Sequence, residues 1–169
     1  KENQLIYINT LIKLARAFSI HYYQQSTKWK YAYWSLSGVG VLLTALNTIV
    51  NTVLERCSED NNVSQYNIAL GSVITALLTG ITVLNAPLKR RENQEAGDKY
   101  NETANNLYVE IYCNEMLPKH QDLRAIIDKY VVHLNDLSDR YDEPSPGAIH
   151  KILGGDEYKF LINIHNEVV

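Results

Sequence analysis

Five histidines, His21, His120, His133, His150 and His165, and two cysteines, Cys57 and Cys113, are the side chains here best suited to metal binding or nucleophilic chemistry. Their spacing supports neither. No His-Glu-x-x-His or Cys-x-x-Cys pair occurs, and tetrahedral zinc needs such closely spaced donors. His133 and Asp136 fall one helical turn apart, a spacing that fits a solvated pair better than a catalytic dyad. No phosphate-binding loop, dinucleotide fingerprint or Gly-x-Ser-x-Gly elbow is present. The expectation is a protein that is not an enzyme and carries no metal or cofactor.

A second chemistry, of uncharged polar groups, is better patterned. Gly40, Thr44, Thr48 and Thr52 recur every four residues, with Asn47 and Asn51 beside them. Ser72, Thr75, Thr79 and Thr82 form a comparable stripe, and Ser72, Ala76 and Gly80 repeat at intervals of four. Small residues let helix backbones approach, and amides can hydrogen-bond across such a contact for about 0.5–2 kcal/mol each. Two uses are open: packing, within the chain or between chains, which is the simpler, and the lining of a water-filled pore.

The elements that must carry these stripes lack charge. Residues 31–54 and 61–88 contain no Asp, Glu, Lys or Arg, although 21% of the chain is charged. A bilayer core needs about 20 apolar helical residues, so each stretch is long enough to span it. The expected fold is an all-α membrane protein: a two-span transmembrane hairpin with a cytosolic helical-bundle or coiled-coil arm. The expected plan is an amphipathic helix at 1–30, spans at 31–54 and 68–88, a far-side loop at 55–67, an arm at 89–153 and a tail at 154–169.

Flanking residues set the orientation. Lys28 and Lys30 precede the first span and Lys89, Arg90 and Arg91 follow the second, whereas the loop has only Arg56 among three acids. The positive-inside rule then puts both termini in the cytoplasm. Trp29, Tyr31, Tyr33 and Trp34 mark the interface, where amphipathic rings prefer to sit. This topology separates Cys57 from Cys113 by the membrane and excludes a disulfide within the chain. Lys1 is not an initiator residue, so the natural chain is expected to begin upstream.

Outside the spans, helical periodicity is clear. Leu5, Ile8, Ile12, Ala15, Phe18 and Tyr22 form one apolar stripe, and Tyr100, Ala104, Leu107 and Ile111 another that should run to Pro118. Leu123, Ile127, Tyr130, Leu134, Leu137 and Tyr141 alternate steps of four and three, as in a hairpin or coiled-coil seam. Pro144 and Pro146 should stop that helix, and Pro87 should kink the junction after the second span. Phe160, Ile162 and Ile164 alternate as in a strand.

Residues 1–30 carry a formal charge of +4 and residues 89–169 one of −5, so these arms can attract each other. Neither is basic enough for a nucleic-acid partner. The expected partners are the lipid bilayer, further copies of the chain, and other structural proteins reached through residues 100–169.

An amphipathic helix, an aromatic entry, two spans on a short loop and a long helical arm ending in Leu137-Ser138-Asp139-Arg140-Tyr141-Asp142-Glu143-Pro144-Ser145-Pro146 resemble the SLATT superfamily of two-span membrane proteins. In that family a tyrosine and a proline-containing turn close the cytosolic helices, the position of Tyr141 and Pro144–Pro146 here. The resemblance implies oligomerisation in the membrane and, for cellular members, pore-forming effector activity, with no catalytic residues. The tail after Gly154-Gly155 departs from a bare effector. It leaves room for a version from a large DNA virus, a membrane-associated minor capsid protein linking an internal virion membrane to the shell.

Overall fold

The computed structural model describes residues 2–57, 62–113 and 123–154; these are helical apart from short breaks at Asn85, 141–145 and Gly154, with no strand among them. In chain order the helices are α1 (Glu2–Cys57), α2 (Asn62–Leu84), α3 (Ala86–Tyr108), α4 (Leu123–Arg140) and α5 (Pro146–Leu153). A π-helical turn, Val109–Cys113, follows α3. The chain divides into two compact units, one made of residues up to Gln25 together with those from Glu92 onward, the other of Ser26–Arg91.

The first unit is a helical bundle built by the expected stripes. Ile8, Leu11, Ile12 and Ala15 of α1, Ala104 and Leu107 of α3, and Ile126 and Tyr130 of α4 make one buried cluster. Ala17, Phe18 and Tyr22 join Ala96, Tyr100, Leu137 and Ile149 in a second. Each fully buried large aliphatic side chain contributes about 1.5–3 kcal/mol by leaving water. Every residue of the predicted α4 seam takes part: Tyr130 and Leu137 are buried, and Leu123, Ile127, Leu134 and Tyr141 pack against the clusters. The seam therefore packs on α1 and α3 inside one bundle. Of the α1 stripe, only Leu5 stands outside the core.

The bundle closes at the turn after α4. Tyr141 packs against the second cluster, Pro144 is buried, and the Tyr22 hydroxyl donates to the Asp142 carbonyl. Pro146 then opens α5, where a missing N–H costs nothing. Gly154, at φ 82°, ends α5 by donating its N–H to the His150 carbonyl.

Several expected boundaries differ. The amphipathic helix does not end at residue 30, because α1 continues through the expected first span to Cys57. An intrahelical hydrogen-bond ladder is satisfied in water and in apolar surroundings alike, so a change of side-chain polarity need not break it. Helix also enters both ends of the expected 55–67 loop, since α2 begins at Asn62. The break before the arm comes at Asn85, whose left-handed φ of 45° ends α2 as asparagine can. Pro87 occupies the first turn of α3, where it is tolerated, and Asn85 makes the interruption. The expected strand at 160–164, Pro118, and the tail after Gly154 lie outside the described residues.

Candidate functional site

Within Ser26–Arg91 the burial pattern inverts. The apolar residues Val41, Leu42, Leu46, Ile49 and Val53 of α1 are 53–69% exposed, and Ile68, Val73 and Leu78 of α2 are exposed as well. Among the described residues one helix, α1, is long and apolar enough to cross a membrane, and only 6% of its apolar window is buried within the chain. The apolar part of α2, Ile68–Gly80, is shorter. Free energy near 25 cal/mol per Å² opposes leaving such surface in water.

Covered positions recur at three- and four-residue steps, with Gly40 buried and 36, 37, 43, 47, 50 and 51 half-covered on α1, and 70, 71, 74, 77 and 80 half-covered on α2. Gly40, Asn47, Asn51 and Gly80 belong to these seams. Thr44, Thr48 and Thr52, and Ser72, Thr75, Ala76 and Thr79, are on exposed faces instead. The Thr82 side chain lies outside the described residues.

The hydroxyls on those faces need no partner helix, because each of five donates to the carbonyl one turn before it. Thr44 bonds Gly40 at 2.8 Å, Thr48 bonds Thr44 at 3.0 Å and Thr52 bonds Thr48 at 2.8 Å. Ser72 bonds Ile68 at 2.7 Å and Thr75 bonds Gly71 at 2.8 Å. Back-bonding of this kind removes the donor from competition and leaves a nearly apolar surface. Nor do the glycines produce a close backbone approach: a Cβ added at Gly40, Gly71 or Gly80 meets nothing within 4 Å. The expected close contact through the glycine positions is thus not made within the single chain.

Asn47 and Asn51 differ from the hydroxyls. Their side-chain oxygens are buried and accept no hydrogen bond. A buried polar group left so costs about 1–3 kcal/mol.

At the ends of the segment the expected flanking residues meet. The Lys89 ammonium sits 4.9 Å from the centre of the Trp29 ring, a cation–π contact joining α1 to the start of α3. Lys28, Lys30, Arg90 and Arg91 are exposed, as are Tyr31 and Trp34.

The bundle holds its own polar network, which the sequence patterns did not reveal. Tyr22 and Tyr100 stack with centroids 5.6 Å apart, and Phe18 and Tyr141 meet that pair edge-on. Burial, then the charges of Asp142 and Glu143, push the Tyr22 phenol up to about 12. Burial drives Tyr100 up further, and its hydroxyl has no partner. At the π-turn, one oxygen of Glu110 accepts from Lys129 at 2.9 Å and from Tyr130 at 2.8 Å. Burial raises that carboxyl, but these two hydrogen bonds outweigh it and hold it below the usual carboxylate range. Gly97 lies flat on Tyr23, where an added Cβ would come within 2.9 Å of the ring.

No three His, Cys, Asp or Glu side chains converge among the described residues, and His133 and Asp136 are both exposed on α4. No family model, curated protein or solved structure matches this chain. Its own geometry is therefore what speaks for its function.

Proposed function

We propose that this chain is a non-enzymatic integral membrane scaffold: residues 31–54 and 68–88 cross the bilayer as a hairpin, both termini are cytosolic, and the helical bundle holds neighbouring proteins. The observation that carries this reading is that, among the described residues, no large apolar side chain in 39–53 or 68–84 is buried and most are exposed, in a chain whose bundle buries its own stripes. Connectivity supports an even number of crossings, because the segment leaves one bundle at Gln25 and re-enters it at Glu92. The Trp29–Lys89 contact supports it too, since it brings the entry and exit residues together. Lys28, Lys30 and Lys89–Arg91 at those ends favour the cytoplasmic side.

The reading extends to assembly and partners. The unsatisfied amide oxygens of Asn47 and Asn51 favour a donor from a second copy, so the hairpin is proposed to oligomerise. Partner proteins would dock through residues 100–169. The resemblance to SLATT proteins adds one specific setting, a minor capsid protein that ties an internal virion membrane to its shell.

The same two asparagines favour a second reading, a SLATT-type pore-forming effector in which several hairpins enclose water along the Asn47 and Asn51 faces. Liposomes separate the two. The scaffold predicts that reconstituted protein leaves the ionic conductance at the background of empty vesicles. Robust leakage that disappears in the Asn47→Leu, Asn51→Leu double variant would establish the pore and reject the scaffold.

A further inference from the structure

A cleft of about 320 Å³ opens in the bundle where the end of its α1 portion, the start of α3 and the turn after α4 meet. That volume is within the range of small-molecule sites and far above the share of one water. Tyr22 and Tyr141 supply its aromatic wall, and Glu92, Arg140 and Asp142 its charges. The Arg140 charge acts on the Tyr141 phenol, whose hydroxyl donates to Glu95 at 3.2 Å. The Glu92 and Asp142 carboxylates, by contrast, have no cationic partner among the described residues.

Behind the wall the stack is incomplete. Tyr100, fully buried against Tyr22, keeps an unpartnered hydroxyl, and the electrostatic neighbours of that phenol are Tyr22, Glu143 and Tyr141. A negative, ring-lined cleft selects against anions. A metal ion would need more converging donors than the described residues offer. An organic ammonium suits both features, since ring faces and carboxylates attract it together.

We propose that this cleft binds a small organic ammonium ion, held against the wall that Tyr22 and Tyr141 form and by the carboxylates of Glu92 and Asp142. The site belongs wholly to the bundle and does not depend on how Ser26–Arg91 meets the membrane. The ammonium can come from a free amine or from a lipid headgroup.

Calorimetric titration of the full chain with choline chloride, in discs of phosphatidylglycerol, tests the site against sodium chloride at equal ionic strength. Saturable binding is expected, weakened about tenfold or more in Glu92→Gln, Asp142→Asn and unchanged in Glu102→Gln, which matches the single charge change of Glu92→Gln at a position away from the cleft. Glu92→Gln alone, at an exposed position, gives the same reading should the double variant misfold. Discs of phosphatidylcholine then identify the source: blocked choline binding indicates a headgroup ligand, and unchanged binding indicates a free amine. Choline heats no greater than those of sodium, or equal loss in Glu102→Gln, would overturn the proposal.

Discussion

Helix α1 serves two environments with one backbone. Up to Gln25 its apolar face is covered by α3 and α4, with Ile8 fully buried and Leu11 and Ile12 nearly so. Beyond Ser26 the same helix exposes Val41 and Leu42 by about two thirds and turns its threonines onto its own carbonyls. Burial in the first region comes from packing within the chain; in the second, burial of the exposed apolar faces must come from outside it. Helix formation alone therefore says little about solvent, and the disposition of side chains says much.

Truncating a leucine in each region should expose the contrast most strongly. Leu107→Ala should cost the bundle about 2–5 kcal/mol, because a packed site cannot collapse around the lost methyl groups. Leu46→Ala, at an exposed position, should leave the same transition in place. Thermal unfolding in detergent, followed by circular dichroism, checks both, and equal losses would erase the distinction. Charge should act the other way round. Leu46→Arg should disfavour membrane insertion by about 2.5–3.5 kcal/mol while sparing the bundle, as read from the carbonate-resistant fraction.

A smaller effect sharpens the polar side of the comparison. Tyr130→Phe removes one of the two hydrogen bonds holding the Glu110 carboxylate and should cost about 1.5 kcal/mol near neutral pH. Because the folded Glu110 carboxyl is held low, its contribution is present above the ordinary carboxylate range and is lost as pH falls through the lowered value. Wild type and Tyr130→Phe should accordingly converge in acid denaturation curves. Tyr100→Phe, which deletes a hydroxyl without a partner, should be neutral or stabilising.

The smallest effect is alkaline. Tyr22, raised from 10.0 to about 12, stabilises the bundle below pH 10, and that contribution fades as pH rises through 12. Phenolate absorbance should show this tyrosine titrating together with unfolding.

Much of this was legible in the residues because periodicity and burial share a cause. Ile8, Ile12, Ala15, Phe18 and Tyr22, and the seam from Leu123 to Tyr141, were placed on packed faces by spacing alone. What they pack against was not legible, since contacts between α1 and α4 span more than a hundred residues. The lysines at 28 and 30 were read as a helix boundary, but charge marks a change of surroundings without interrupting hydrogen bonds. The threonine ridge had the right period, but spacing did not show that each hydroxyl donates to the carbonyl one turn back in its own helix. Gly97 gave no signal beyond a glycine inside a helix, and its value lies in the Tyr23 ring across from it.

The central claim, that Ser26–Arg91 carries the chain across a bilayer and back, is tested most directly by the sidedness of the two natural cysteines. Cys57→Ser and Cys113→Ser variants in sealed cells, exposed to a membrane-impermeant maleimide, leave one thiol each to report. The account predicts that Cys57 reacts from outside, and that Cys113, exposed on the bundle, reacts only after the membrane is opened. Equal reactivity of both from one side would contradict it.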